Sequence, residues 1–130
     1  MKLLLDTCCI VWAIARVEEL SARARQLLTA GNSRIFVSPI SAAEIACACE
    51  RGRLTVRPHW KPWLRKHLRI NAWQIEPIDL SIMEEAYSLP GAFHADPADR
   101  ILTATARLRD CVLLTADRKV LAYPHVEAVW

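Results

Sequence analysis

Three short, almost uninterrupted apolar runs dominate what this chain can fold into: Lys2-Leu-Leu-Leu5, Arg34-Ile-Phe-Val37 and Cys111-Val-Leu-Leu-Thr115. Each suits a strand covered on both faces. Helical signals separate them. An apolar segment from Cys8 to Ala15 follows the turn at Asp6-Thr7, and Ser21 opens a second helix that Gly31-Asn32 ends. Ser41-Ala-Ala-Glu44 has capping-box spacing and predicts a helix running to Gly52. Pro58 can open another, with Trp60, Leu64, His67 and Leu68 as one apolar stripe. Ser81–Ser88 reads as a short helix stopped by Pro90-Gly91, and a helical turn runs from Arg118 to Leu121. Trp73–Ile78 and Pro124–Trp130 read as two further strands. Strands alternating with helices predict an α/β chain: a three-layer α/β/α sandwich around a mostly parallel central sheet.

The chain has 130 residues, so residues 1–130 are expected to form a single domain. Hydrophobic residues make up 53%, which argues against disorder. No apolar run approaches the ~18 residues of a membrane span. Met-Lys-Leu-Leu-Leu-Asp6 does not read as a signal peptide. The five cysteines include no C-x-x-C pair, so they offer no zinc-site spacing. They are expected to be reduced, mostly buried thiols of a cytoplasmic protein. A net charge of +3 is too small to name a polyanionic partner. The charge is uneven, however: positions 51–75 contain no Asp or Glu. Arg57, Lys61, Arg65 and Arg69 within that stretch are candidates to contact an RNA backbone. Trp60 and Trp63 read as packing anchors rather than base-stacking platforms.

The stretch His94-Ala-Asp-Pro-Ala-Asp-Arg-Ile-Leu-Thr-Ala-Thr-Ala106 opens the last long helix. Asp96 stands at the N-cap, Pro97 at the first helical position and Asp99 three residues after the cap. Ile101, Leu102, Ala104, Thr105, Ala106 and Leu108 make the helix apolar on nearly every side, so it is expected to be covered all round to about Arg109. Asp99 leads into the third apolar strand, Asp117 follows it, Asp6 follows the first, and Glu44 begins the helix after the second. In parallel sheets, sites form beyond the carboxyl ends of strands, near a switch in strand order. Acids gathered there repel one another and resist desolvation. Such a cluster calls for a cation, and oxygen ligands suit Mg²⁺ or Mn²⁺. The chemistry such an ion serves best is attack of water on a phosphate ester. The competing reading is that the acids only cap helices, with Glu44 bonding the Ser41 amide.

Leu-Leu-Asp6-Thr, Ser-Pro-Ile-Ser-Ala-Ala-Glu44-Ile, the His94 stretch through Asp99, and Leu-Leu-Thr-Ala-Asp117 stand in the order of a PIN domain. The chain resembles the VapC-type ribonuclease toxins of bacterial type II toxin–antitoxin systems over essentially its whole length. The resemblance implies Mg²⁺-dependent RNA cleavage, with Mn²⁺ able to substitute, leaving 5′-phosphate and 3′-hydroxyl ends and inhibiting translation. It implies Asp6, Glu44, Asp99 and Asp117 as the catalytic acids. Asp6, Asp99, Asp117 and Asp96 would hold metal, Asp96 being the additional acid of the His-x-Asp-Pro-x-Asp-Arg subgroup. Thr7 and Thr115 would orient carboxylates. It also implies a homodimer and a cognate antitoxin protein. Ala43 stands where similar toxins often carry a bulky aromatic, a departure that bears on local packing. The rival readings are a metal-dependent phosphatase, a DNA flap nuclease, or a non-catalytic module that binds RNA or a partner.

Overall fold

The computed structural model describes residues 1–130. Five strands form one sheet: β1 (Lys2–Leu5), β2 (Arg34–Val37), β3 (Gln74–Ile75), β4 (Val112–Leu114) and β5 (Ala128–Val129). Their order is β3-β2-β1-β4-β5, and every neighbouring pair is parallel. β1 is central, with Leu5 opposite both Val37 and Leu114. The chain moves outward from β1 through β2 to β3, then returns to the far side of β1. The switch in strand order therefore lies between β1 and β4, beside Asp6.

Side-chain alternation along β1 builds the layers. Leu3 and Leu5 pack in one cluster with Cys9 and Ile10 of α1 (Thr7–Ala15), Ala24 of α2 (Ala22–Thr29), Ile45 of α3 (Pro39–Glu50) and Leu64 of α4 (Trp60–Ile70). Leu4 points the other way, towards Leu102 and Ala106 of α6 (Pro97–Arg109) and Val120 of α7 (Arg118–Ala122). Ile82 and Ala86 of α5 (Leu80–Ala86) pack against Ile101 and Ala104 on the outer side of α6. This arrangement is the expected α/β sandwich. Burying each of Leu3, Leu4 and Leu5 contributes ~1.5–3 kcal/mol, which anchors β1 and with it the position of Asp6. Trp60 and Trp63 pack at the edge of the first cluster, as read from the apolar stripe.

Several boundaries differ from the sequence reading. α3 begins at Pro39, not Ser41: the Ser38 side chain accepts from the Ile40 amide, and Pro39 occupies the first turn. Ser41 is thereby an interior, fully buried helical residue and caps nothing. α4 starts after a His59 cap, two residues beyond Pro58. Asp79 caps α5, which begins at Leu80 and ends at Ala86. β3 and β5, at the two edges of the sheet, each pair over only two residues, shorter than the strands read over Trp73–Ile78 and Pro124–Trp130. Leu108 is 40% exposed, so α6 is not covered all round at its last turn. The helix stops at Asp110, whose φ of 55° is left-handed, a conformation that short polar Asp tolerates. All five cysteines are free, but Cys8 and Cys47 are exposed rather than buried.

Candidate active site

Asp6 leaves β1 as the N-cap of α1. Its amide donates to the Leu114 carbonyl (3.0 Å), joining it to the end of β4. Its carboxylate accepts from the Thr7 amide (2.7 Å) on Oδ1 and from the Thr115 hydroxyl (2.7 Å) on Oδ2. The Thr115 oxygen also accepts from the Asp117 amide (3.0 Å). One hydroxyl thus ties the ends of β1 and β4 together. Asp117 caps α7, with Oδ1 accepting from the amides of Lys119 (2.8 Å) and Val120 (3.2 Å).

Glu44 reaches the same place from α3. Its Oε1 meets Thr7 Oγ1, which also lies 2.9 Å from Ser41 Oγ. A threonine hydroxyl has one proton, and a carboxylate is the stronger acceptor. Thr7 therefore donates to Glu44 and accepts from Ser41. Glu44 does not close a capping box: Ser41 sits one turn before it on the same helix face and braces its threonine partner instead.

Asp99 arrives on the first turn of α6. Its amide donates to Asp96 Oδ1 (3.0 Å), so Asp96 is the N-cap the sequence suggests. The reciprocal half of the box is not made. Asp99 Oδ2 lies 2.6 Å from His94 Nε2 instead. His94 stacks on Phe93 (centroids 4.5 Å apart). Arg100 fixes that loop by donating to the carbonyls of Ala86 (3.0 Å) and Phe93 (3.1 Å). Sequence reasoning read Ser41 only as a helix cap, and gave His94 and Arg100 no contact of their own beyond their place in the motif. The signals were present: a serine three before Glu44, and a histidine and an arginine flanking Asp99.

Asp6, Glu44 and Asp99 are near enough to one another for their charges to interact. Burial pushes the Asp6 carboxyl above its ordinary value, opposed by Thr115 and Thr7 and reinforced by the charges of Asp99 and Asp117. Burial raises Glu44, opposed by Thr7 and reinforced by Asp6, Asp96 and Asp99. Asp99 is raised first by burial, held back by His94, and pushed further by Asp96 and Asp117. Each carboxylate feels the others, as like charges near one another must. No arginine or lysine forms an ion pair with any of them; His94 is the one basic side chain in contact.

By donor type, Asp6, Asp96, Asp99 and Asp117 suit a hard divalent cation, which prefers oxygen. No three His, Cys, Asp or Glu side chains stand close enough to hold one as they are placed. Gathering them further requires something to neutralise their repulsion. Arg57, Lys61, Arg65 and Arg69 are exposed, form no ion pair, and touch none of the acids. No helix is long and apolar enough to cross a membrane.

Comparison with known proteins agrees with this geometry. The PIN domain model matches residues 3–126. Ribonuclease VapC22 of Mycobacterium tuberculosis is 31% identical over 129 residues, covering 97% of this chain and 95% of that protein. The fold superposes on VapBC2 from Rickettsia felis bound to a promoter DNA fragment (TM-score 0.72, 18% identity, 99% of this chain and 98% of that one). It also superposes on a toxin–antitoxin complex from Klebsiella pneumoniae (TM-score 0.67, 21% identity, 98% and 95% covered). With the acidic cluster at its switch point and the family model spanning nearly all of its length, this chain belongs to the PIN-domain family.

Proposed function

We propose that the protein is a divalent-metal-dependent endoribonuclease that hydrolyses RNA phosphodiester bonds as the toxin of a toxin–antitoxin pair, inhibiting translation in the cytoplasm. The observation that carries this reading is the convergence of Asp6, Glu44, Asp99 and Asp117 at the β1/β4 switch, each from a different element, with no arginine or lysine to balance them. The similarity to a ribonuclease of the same family supports RNA as substrate. The similarity in fold to toxin–antitoxin assemblies supports a cognate antitoxin partner. A homodimer is part of the same proposal.

In this reading Asp6, Asp99, Asp117 and Asp96 would hold Mg²⁺ or Mn²⁺, Asp96 from its place at the N-cap of α6. The bound ion would neutralise charge developing on the phosphate and make the attacking water more acidic. The protein's part is placement and proton handling. Thr115 aims Asp6 and, through the Asp117 amide, sets the start of α7. Thr7, braced by Ser41, presents Glu44, which accepts from no other protein group. Burial raises the proton affinity of Glu44, as a group taking a proton from attacking water requires. His94 occupies Oδ2 of Asp99 and leaves Oδ1 available.

The test is incubation with structured RNAs, single-stranded DNA and a small phosphomonoester, in Mn²⁺ or EDTA. Wild type should cut RNA in Mn²⁺ only. Asp99→Asn keeps volume and removes one charge, and should lose roughly 10²-fold or more of the rate. Equal cleavage by the two proteins at matched folding contradicts the assignment. Preferential attack on DNA or the monoester would support the rival enzyme classes.

A further inference from the structure

A groove adjoins the acids on the Asp99 and Asp117 side. It is an open groove of about 480 Å³ lined by Phe93, His94, Tyr123, Pro124, Lys119 and two small residues, Ala92 and Ala122. That volume lies within the ~300–1,000 Å³ of small-molecule sites. Two of its walls belong to residues that position the acids. His94 contacts Asp99 at 2.6 Å, and Lys119 follows two residues after Asp117 in the turn its carboxylate caps. No carboxylate lines the cavity, although it borders a cluster of them.

The walls are tied to one another. Phe93 stacks on His94 and meets Tyr123 edge-on at 4.8 Å. Tyr123 is 6% exposed and donates its hydroxyl to the Pro90 carbonyl. Arg100 holds the Phe93 carbonyl from behind. Lys119 is exposed and makes no ion pair, so its ammonium is available.

We propose that this cavity binds the base of the nucleotide flanking the cleaved bond, with Lys119 pairing to that nucleotide's phosphate. The inference rests on the ribonuclease reading for its biological meaning, but nucleotide binding can be measured apart from it. The half-buried His94 and Phe93 rings and the exposed Pro124 ring offer apolar surface to a base, and one lysine supplies a point charge for phosphate. Through the His94–Asp99 contact and the Lys119 amide on Asp117, the cavity borders the acids directly. The acids alone repel a polyanion. An acid-free, lysine-bearing wall at their border gives the substrate a place to be held while the reacting phosphate faces the carboxylates.

The experiment is NMR titration of isotope-labelled wild type, Lys119→Ala and Ala122→Leu with adenosine 5′-monophosphate, adenosine and ribose 5-phosphate, in Mg²⁺. Ala122 is exposed, so leucine there fills the cavity without disturbing the core. Adenosine monophosphate should shift the amides of Ala92–His94 and Lys119–Tyr123 saturably. Ribose 5-phosphate, lacking the base, should bind at least tenfold more weakly. Lys119→Ala should weaken the nucleotide and leave adenosine unchanged. Ala122→Leu should weaken both by about tenfold. Absence of saturable shifts, equal binding of ribose 5-phosphate, or wild-type affinity in Ala122→Leu overturns the proposal. RNA cleavage by the same preparations separates the two readings. Cleavage without nucleotide binding removes the cavity and keeps the ribonuclease; binding in a protein that cuts no RNA does the reverse.

Discussion

Asp6 shows what this site asks of one residue. It accepts two hydrogen bonds that favour its charged form, yet burial outweighs them and its proton affinity rises. Glu44 and Asp99 are shifted the same way, first by burial. The consequence for stability has a definite sign. Raised carboxyl values mean the native state binds more protons than the unfolded chain above pH ~4. Their contribution is present below the unfolded values and is lost as pH rises through the folded ones. Asp79 works in reverse. The Ile82 amide and then Arg109 hold it low, so its contribution is lost only as pH falls below the ordinary carboxylate range. The windows barely overlap. In EDTA, urea midpoints should therefore rise as pH falls from neutral towards the ordinary carboxylate range, and the rise should be smaller in Asp6→Asn. A metal-free protein most stable at pH 7 or above, with the same slope in the variant, contradicts this account.

At the scale of elements, α4 is the part of the proposed RNA surface the sequence marks most clearly. It packs through Trp63, Leu64 and Leu68 and leaves Lys61, Arg65 and Arg69 exposed. If these contact phosphates, Lys61→Ala with Arg65→Ala should weaken binding of single-stranded RNA. The salt dependence should also become shallower by about 1.4 in slope, from two lost contacts. Unchanged binding at every salt concentration would leave this face to solubility or protein partners. Elements were readable from sequence where a local signal matched the global one. The three apolar runs became β1, β2 and β4, and Asp96-Pro97 opened α6 as read. Misreadings arose where two local signals competed. Ser38-Pro39 and Ser41-x-x-Glu44 both announce a helix start, and tertiary packing decided between them: Ser41 is buried beside Thr7. The role of His94 was not readable because its partner choice depends on a loop held by Arg100, a contact that sequence spacing does not reveal.

At the scale of the molecule, the parallel order β3-β2-β1-β4-β5 makes the acidic cluster. Asp6 and Asp117 come from the ends of strands on either side of the switch, while Glu44 and Asp99 come from helices in opposite layers. The core thereby holds together charges that the unfolded chain keeps apart. The central claim is that Asp6, Glu44, Asp99 and Asp117 form one acidic site that a cation neutralises, and thermal melts of wild type, Asp6→Asn and Asp117→Asn in EDTA and graded Mn²⁺ test it most directly. Without metal, at least one variant should melt above wild type, since a repelling charge is gone with little change in volume. Mn²⁺ should raise the wild-type midpoint by mass action and the variants' far less, so that the curves converge or cross. Both variants melting below wild type in EDTA, with all three responding equally to Mn²⁺, would mean the carboxylates are separate helix caps and not one site.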